Sequence, residues 1–362
     1  MLAALAWTAP AGAQIPGTPA AVAAKAGWDA LAAGRHEEAA AAFARAIDAE
    51  PRDPSLHLGA GVAAFLLGQP TAARHSLERA LALAPALTPA SLLLGDILYR
   101  GSDIEGALRV YEEALRQTPA HATVQARVET LRREAALHSG YFASHGARFT
   151  VLFEGPADEA LASRALEILE AAYWRVSTAL AVYPEQVITV ILYTEQQFRD
   201  VTRSPEWAAG AYDGRIRVPV RGALAGSREL ERVLIHEFTH ALLQAVAPRG
   251  IPVWLHEGLA VQFEPSGSEW ADGQLARSSQ RLPPSRLAGS FAPLSTEEAR
   301  LAYAQSAGLV AALFERSGAA AVGAVLQDIA RGDAFAVAFE RHFFMTYDDF
   351  VASLATPVDL LR

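Results

Sequence analysis

Between residues 28 and 119 the sequence returns to one side-chain pattern every 34 positions. Ala39, Ala73 and Ala107 form one column; Phe43, Leu77 and Tyr111 form a second. Ala46, Ala80 and Ala114 form a third, and Pro51, Pro85 and Pro119 a fourth. A copy of this length is one supersecondary unit that cannot bury its apolar face alone, so neighbouring copies must stack. Within each second helix the small residue lets the paired helix approach, and the large one four positions on fills the groove. The next small residue follows three further along on the same face. Proline then prevents the helix from continuing. Trp28 and Leu31 supply the bulky positions of the first helix in copy one. In copy three, "YRGSDIEGA" reads as carrying one extra residue in its turn. Residues 120–137, with polar "RVETLRRE", read as the capping helix that a stacked array needs.

The period and its small, large, small, Pro columns resemble the tetratricopeptide repeat. That resemblance implies an N-terminal all-α solenoid over 23–137, three repeats plus the capping helix. Its concave surface would bind a protein partner or peptide; no residue in it suggests chemistry. Residues 1–22 are expected to be a signal-peptide remnant without structure. A short apolar run precedes Ala11-Gly12-Ala13, a small-x-small pattern that would leave Gln14 as the first mature residue. The usual basic segment ahead of the apolar run is missing, so the true signal is expected to start upstream of Met1, with a floppy Ala-rich tail the alternative. The expected location is periplasmic or secreted, with cytoplasmic the alternative.

"HSGYFASHG", 138–146, breaks the helical pattern and is expected to be a linker. Residues 147–362 then alternate differently. "ARFTVLFEG" and "QVITVILYT" read as buried strands around a helical "ADEALASRALEILEAAYWRVSTALA". "GAYDGRIRVPV", 210–220, alternates like a further strand, with Pro219 suited to a sheet edge. From 228 onward the pattern is mostly helical. This half is expected to be an α+β domain large enough for its own core. Residues 265–294, rich in Ser, Gly and Pro, are expected to form a long loop over a cleft, and 318–361 to close the domain with helices.

The helical stretch 227–248 contains "VLIHEFTHALL". His236 and His240 stand one turn apart on one face, the geometry for two imidazoles to grip one ion. Glu237 lies beside them, where a carboxylate could take a proton from water. The same five residues also suit a helix whose histidine pair is satisfied within the protein. Cysteine is absent from the chain, so any transition-metal site must use histidine and carboxylate. A catalytic zinc needs a third protein ligand and one position left for water. Glu257, in "VWLHEGLAVQF", follows a turn at "PRGIP" that folds a second helix back beside the first. His256 points about 100° away from Glu257 on a helix, and is expected to support a ligand or face the surface.

"HEFTH" followed by "WLHEGLA" resembles the gluzincin metallopeptidases, the clan of thermolysin and aminopeptidase N, although His256 stands where that clan usually has Asn. The resemblance implies a zincin-like fold and one Zn2+ held by His236, His240 and Glu257, with Glu237 as general acid and base. It also implies that Tyr303, in "EARLAYAQSAGLVAALFE", donates to the developing oxyanion; a packed core tyrosine is the alternative. Ser295 and Glu298, just ahead of it, are spaced as a capping box. In aminopeptidase N relatives a Lys-Gly pair stands where Gln305-Ser306 stand here. Those aminopeptidases carry a Gly-x-Met-Glu-Asn motif whose Glu anchors the substrate amine. "GAYDGRIRVPV" lacks that Glu and offers only Asp213, which favours an endopeptidase or a specific processing enzyme. The 210–220 strand would pair with an extended peptide.

The leading expectation is therefore a zinc peptidase whose repeats recruit substrate or a partner protein. A non-catalytic scaffold with a peptidase-like binding domain is the alternative, and a zinc hydrolase of non-peptide bonds a third. A formal net charge of −9 and the lack of any Lys/Arg cluster argue against nucleic acid and anionic lipid. No stretch reaches the roughly 18 unbroken apolar residues of a membrane span.

Overall fold

Each 34-residue period folds into a pair of helices. In this computed structural model, which describes residues 17–202, 210–220, 228–291 and 293–355, helix α1 (Pro19–Ala32) packs on α2 (His36–Ala49). Likewise α3 (Pro54–Leu66) packs on α4 (Pro70–Leu83), and α5 (Thr88–Arg100) on α6 (Ile104–Gln117), with α7 (Ala122–His138) closing against α6. The expected signal cleavage after Ala13 lies outside the described residues. The expected disorder to residue 22 is corrected, because α1 begins at Pro19. Thr18 Oγ1 accepts from the Ala21 N–H at 3.1 Å, and a proline at the first helical position needs no donor.

The turns inside the pairs keep the same period: Gly34 (φ 74°), Gly68 (φ 70°) and Ser102 (φ 64°). The third copy therefore has no extra residue, which corrects the reading of "YRGSDIEGA". Its glycine merely stands one position early, at Gly101, and Ser102 takes the left-handed conformation that glycine adopts freely. A further column, Gly27, Gly61 and Gly95, explains how the pairs close. A methyl group there would lie 2.9 Å from the Phe43 ring, 2.7 Å from Leu77 and 2.3 Å from Tyr111. The large side chain of each second helix thus presses onto bare backbone of the first. Phe43, Leu77 and Tyr111 are all buried, each burial contributing about 1.5–3 kcal/mol.

The chain divides at Ser139/Gly140 into two units. The second unit is helical with a small mixed sheet of order β1-β2-β3-β5-β4. Strand β1 (Phe142–His145) lies inside the expected linker and corrects it. It runs antiparallel to β2 (Phe149–Phe153), Phe142 opposite Phe153 with their rings 6.0 Å apart. Helix α8 (Glu159–Leu180) leads from β2 to the parallel β3 (Ile188–Tyr193), and α9 (Glu195–Thr202) follows. The expected single strand 210–220 is a hairpin: β4 (Ala211–Tyr212) at the edge and β5 (Ile216–Pro219) between it and β3. Pro219 is tolerated because β4 pairs only with Ile216 and Arg217, so among the described residues no strand pairs with Pro219 on that side. Phe149, Val151, Val190, Leu192, Ile216 and Val218 share one core with the buried stripe of α8.

The remainder is α10 (Arg228–Val246), α11 (Val253–Phe263), α12 (Gly267–Arg277), α13 (Pro284–Ala288), α14 (Thr296–Ser317), α15 (Ala319–Ala330), α16 (Phe335–Phe343) and α17 (Tyr347–Ala355). Helices α12 and α13 occupy the expected long loop 265–294. The correction has a physical cause: Ala271 of α12 is buried with Val261, Ala304 and Ala307, which supplies the packing that composition did not suggest. Gln305 then staples the following segment through both the N–H and the carbonyl of Leu282, at 2.7 and 3.1 Å. Both halves of the Ser295/Glu298 capping box are present at the start of α14. Among the described residues no single helix is long and apolar enough to cross a membrane; α14 with α15 passes by composition only and is bent by 106°.

Candidate metal centre

Helix α10 is amphipathic because Val233, Leu234, Phe238, Ala241 and Leu242 are buried in the core. That registration leaves His236 and His240 on a half-buried face, with His240 Nε2 3.1 Å from His236 Nε2. Gly250 (φ 84°) turns the chain, and Pro252 begins α11, which packs on α10. Glu257 Oε2 then lies 3.3 Å from His240 Nε2 and 3.7 Å from His236 Nε2. These three are the described His and carboxylate residues whose ligand atoms converge, all within 4.8 Å.

The separations match a metal. Ligand atoms about 2.0–2.2 Å from a tetrahedral zinc stand about 3.3–3.5 Å from one another. Glu257 Oε2 is buried and accepts no hydrogen bond, an otherwise costly state that a cation would relieve. The donor set, two imidazoles and one carboxylate, is that of a catalytic zinc with a position to spare.

Partners outside the trio hold the histidines. Glu264, just past the end of α11, places Oε1 2.6 Å from His236 Nδ1. His256 places Nδ1 2.7 Å from His240 Nδ1, with the rings stacked at 4.8 Å. Each histidine therefore has its Nδ1 engaged and its Nε2 turned to the common point, as metal-bound histidines usually do. The supporting role expected for His256 agrees with this contact. Glu264 was not foreseen from the sequence; its signal is the spacing of seven from Glu257, two turns along the same helix face.

Charge is concentrated here. Burial opposes a protonated His236, but Glu257 and Glu264 outweigh it and raise its pKa to about 10. Burial also opposes the Glu257 carboxylate, but His240 and His236 overcome that and hold it well below the usual range. Burial and then the charge of His240 lower His256 to about 3, so its ring is neutral. A cation entering the trio must displace the proton on His236.

Glu237 is only 6% exposed and burial pushes its pKa up, which suits a group that must accept a proton. A methyl group at Gly210 would lie 2.7 Å from Glu237 Oε1, so the backbone leading into β4 rests against this carboxyl. Tyr303 stands with its ring centroid 6.2 Å from that of His236 and against Phe291. Its position depends on Gly258: a methyl group there would lie 2.3 Å from the Ser306 carbonyl oxygen, so α14 can approach α11 closely only at glycine. Burial and then the charges of Glu257, Glu237 and Glu264 raise the Tyr303 pKa, keeping its hydroxyl a donor. Asp213, weighed above as an amine anchor, is engaged by Arg217 Nε at 3.1 Å.

A tetratricopeptide-repeat family model matches residues 25–88 and 67–122. The N-terminal region carries tetratricopeptide repeats. Solved structures similar to the chain include the first such domain of Spaghetti (RPAP3) bound to an HSP90 peptide, 24% identical, covering 33% of this chain and 96% of that one, with a TM-score of 0.31. The first repeat domain of human RPAP3 is also 24% identical, covering 33% of this chain and 95% of that one, with a TM-score of 0.31. No curated protein matches the chain significantly. Tetratricopeptide repeats bring a protein-interaction or scaffold role to the N-terminal unit.

Proposed function

We propose that the C-terminal unit is a zinc-dependent peptidase of gluzincin type with a zincin-like fold, to which the repeats recruit a protein substrate or partner. The observation that supports this reading is the convergence of His236, His240 and Glu257 within 4.8 Å, beside the buried carboxyl of Glu237. Bound there, one Zn2+ would supply Lewis acidity, acidifying a water and polarising a carbonyl. The residues of the chain do the rest. Glu237 takes the water proton and returns it to the leaving amine. Tyr303, kept protonated, donates to the oxyanion as it forms. Glu264 and His256 hold the two imidazoles so that neither reorients during the reaction. Strand β4 comes last in the sheet order and follows the Gly210 backbone that rests on Glu237, and it is the strand we assign to receive an extended peptide. The engaged state of Asp213 favours cleavage within a chain over removal of its first residue.

The test is the metal content of the full chain purified without chelator, followed by hydrolysis of a broad peptide library with and without zinc removal. One zinc per chain and cleavage abolished by the chelator are expected. Stoichiometric zinc without cleavage would favour the scaffold reading, and absence of zinc would remove the site. Tyr303→Phe is expected to lower kcat by about 10²–10³-fold, the usual cost of one oxyanion donor, with zinc content unchanged. Unaltered turnover would return Tyr303 to a packing role.

A further inference from the structure

Glu264 can orient His236 only if its own carboxylate is held. We infer that Arg232 is a positioning residue that fixes Glu264 against His236 and thereby sets the metal affinity of the site; this rests on the zinc-site reading above. Arg232 lies one turn before His236 on α10. Its Nη1 reaches Glu264 Oε2 at 3.3 Å, while Glu264 Oε1 meets His236 Nδ1 at 2.6 Å. Both carboxylate oxygens are thus used, one on the imidazole and one on the guanidinium. The Glu264 side chain is 8% exposed against 35% for Arg232, so the contact ends on a buried oxygen.

The other bonds of Arg232 keep it aimed. Nε and Nη2 take both oxygens of Glu229 at 3.0 and 2.7 Å, the bidentate geometry that suits a guanidinium and not an ammonium. On its own the Glu229 pair is an exposed contact within one helix, a kind that contributes little to stability. Its consequence here is orientation, because it leaves Nη1 directed across to α11. The backbone at that end of α11 is secured separately, by Arg175 Nη2 donating to the Phe263 carbonyl at 2.5 Å. Loss of Arg232 therefore frees the Glu264 side chain while the chain around it stays in place.

Electrostatics alone would give the opposite sign. Removing a positive charge near a cation site should tighten binding, whereas releasing the carboxylate that orients His236 should weaken it. The sign of the change distinguishes the two. Zinc affinity of the full chain, measured by competition with a chromogenic chelator, should fall about tenfold in Arg232→Gln and less in Arg232→Lys. Glu264→Gln should cost about 10–100-fold, the range for partners that orient metal ligands. The double variant should bind no more weakly than Glu264→Gln, because Arg232 acts through that residue. The visible spectrum of the Co2+-loaded protein should change in Arg232→Gln, while metal-free melting stays that of the wild type. Affinity in Arg232→Gln equal to or tighter than wild type, multiplicative losses in the double variant, or a lowered metal-free melting point would each overturn the proposal. A wild-type chain that binds no zinc would overturn the metal site itself, and the role of Arg232 with it.

Discussion

Glu237→Gln is expected to bind one zinc per chain and to lose about 10²–10⁴-fold in kcat, the range that a positioned general base contributes. The substitution keeps size and hydrogen-bonding capacity but removes the ability to accept a proton. None of the three converging ligands is touched, so metal content and fold should be unchanged. The buried setting strengthens the expectation. Glu237 is 6% exposed, flanked by α10 and by the backbone at Gly210, so bulk water cannot readily replace it. Peptide turnover and zinc stoichiometry on the same preparation check it. Wild-type turnover in Glu237→Gln would remove the acid–base assignment while leaving the metal site standing.

Glu257→Gln is expected to lose zinc altogether under conditions where the wild type is saturated. The loss should exceed the roughly 10–100-fold that substitution of an orienting partner costs, because a charged ligand itself is replaced by a neutral one. Glu257 Oε2 is buried, accepts no hydrogen bond, and stands 3.3 Å from His240 Nε2. Nothing else among the described residues presents a third ligand atom to that point. Competition titration with a chelator measures the effect, and melting of the metal-free protein controls for folding. Zinc binding as tight as that of the wild type would show that Glu257 is not a ligand.

Much of the repeat unit was legible because one period carries every constraint. The large column Phe43, Leu77 and Tyr111 stands out by its chemistry, whereas its counterpart Gly27, Gly61 and Gly95 does not. A glycine facing a ring looks, in sequence, like a glycine anywhere. The extra residue expected in "YRGSDIEGA" has a related origin, since the left-handed backbone of Ser102 is set by the turn and not by its side chain. In the second unit the strands rich in β-branched residues were legible, and β1 was not. Phe142, Ala143 and His145 are exposed, so no alternation of buried and exposed positions marks the strand. Helix α12 was hidden because Ser266, Gly267 and Gly273 signal a loop, while Val261, Ala304 and Ala307, which bury Ala271, lie elsewhere in the chain.

For the site, His236 and His240 are legible because their spacing puts them on one face of α10, and Glu257 because the turn after α10 folds α11 back beside them. Glu264 sits at the junction where α11 ends, and helical spacing alone does not say whether the helix reaches it. Arg232 was visible as one of many charges on an amphipathic helix. The role inferred for it depends on the contact with Glu264, 32 positions away, which no local pattern encodes.

The α10–α11 hairpin keeps the candidate centre compact along the chain. His236, His240, His256, Glu257 and Glu264 all come from residues 236–264, and the pair His240–His256 is separated by 16 positions. Closing a loop of that length costs little entropy compared with pairing distant strands. The groups that would hold the ion in the proposed reading therefore need only two neighbouring helices to meet, and not the pairing of β1 to β5. Tyr303 lies farther along the chain, on α14, beyond α12 and α13. In the proposed reading, the groups that would hold the ion lie within one helical hairpin, whereas the oxyanion donor would come from a separate helix.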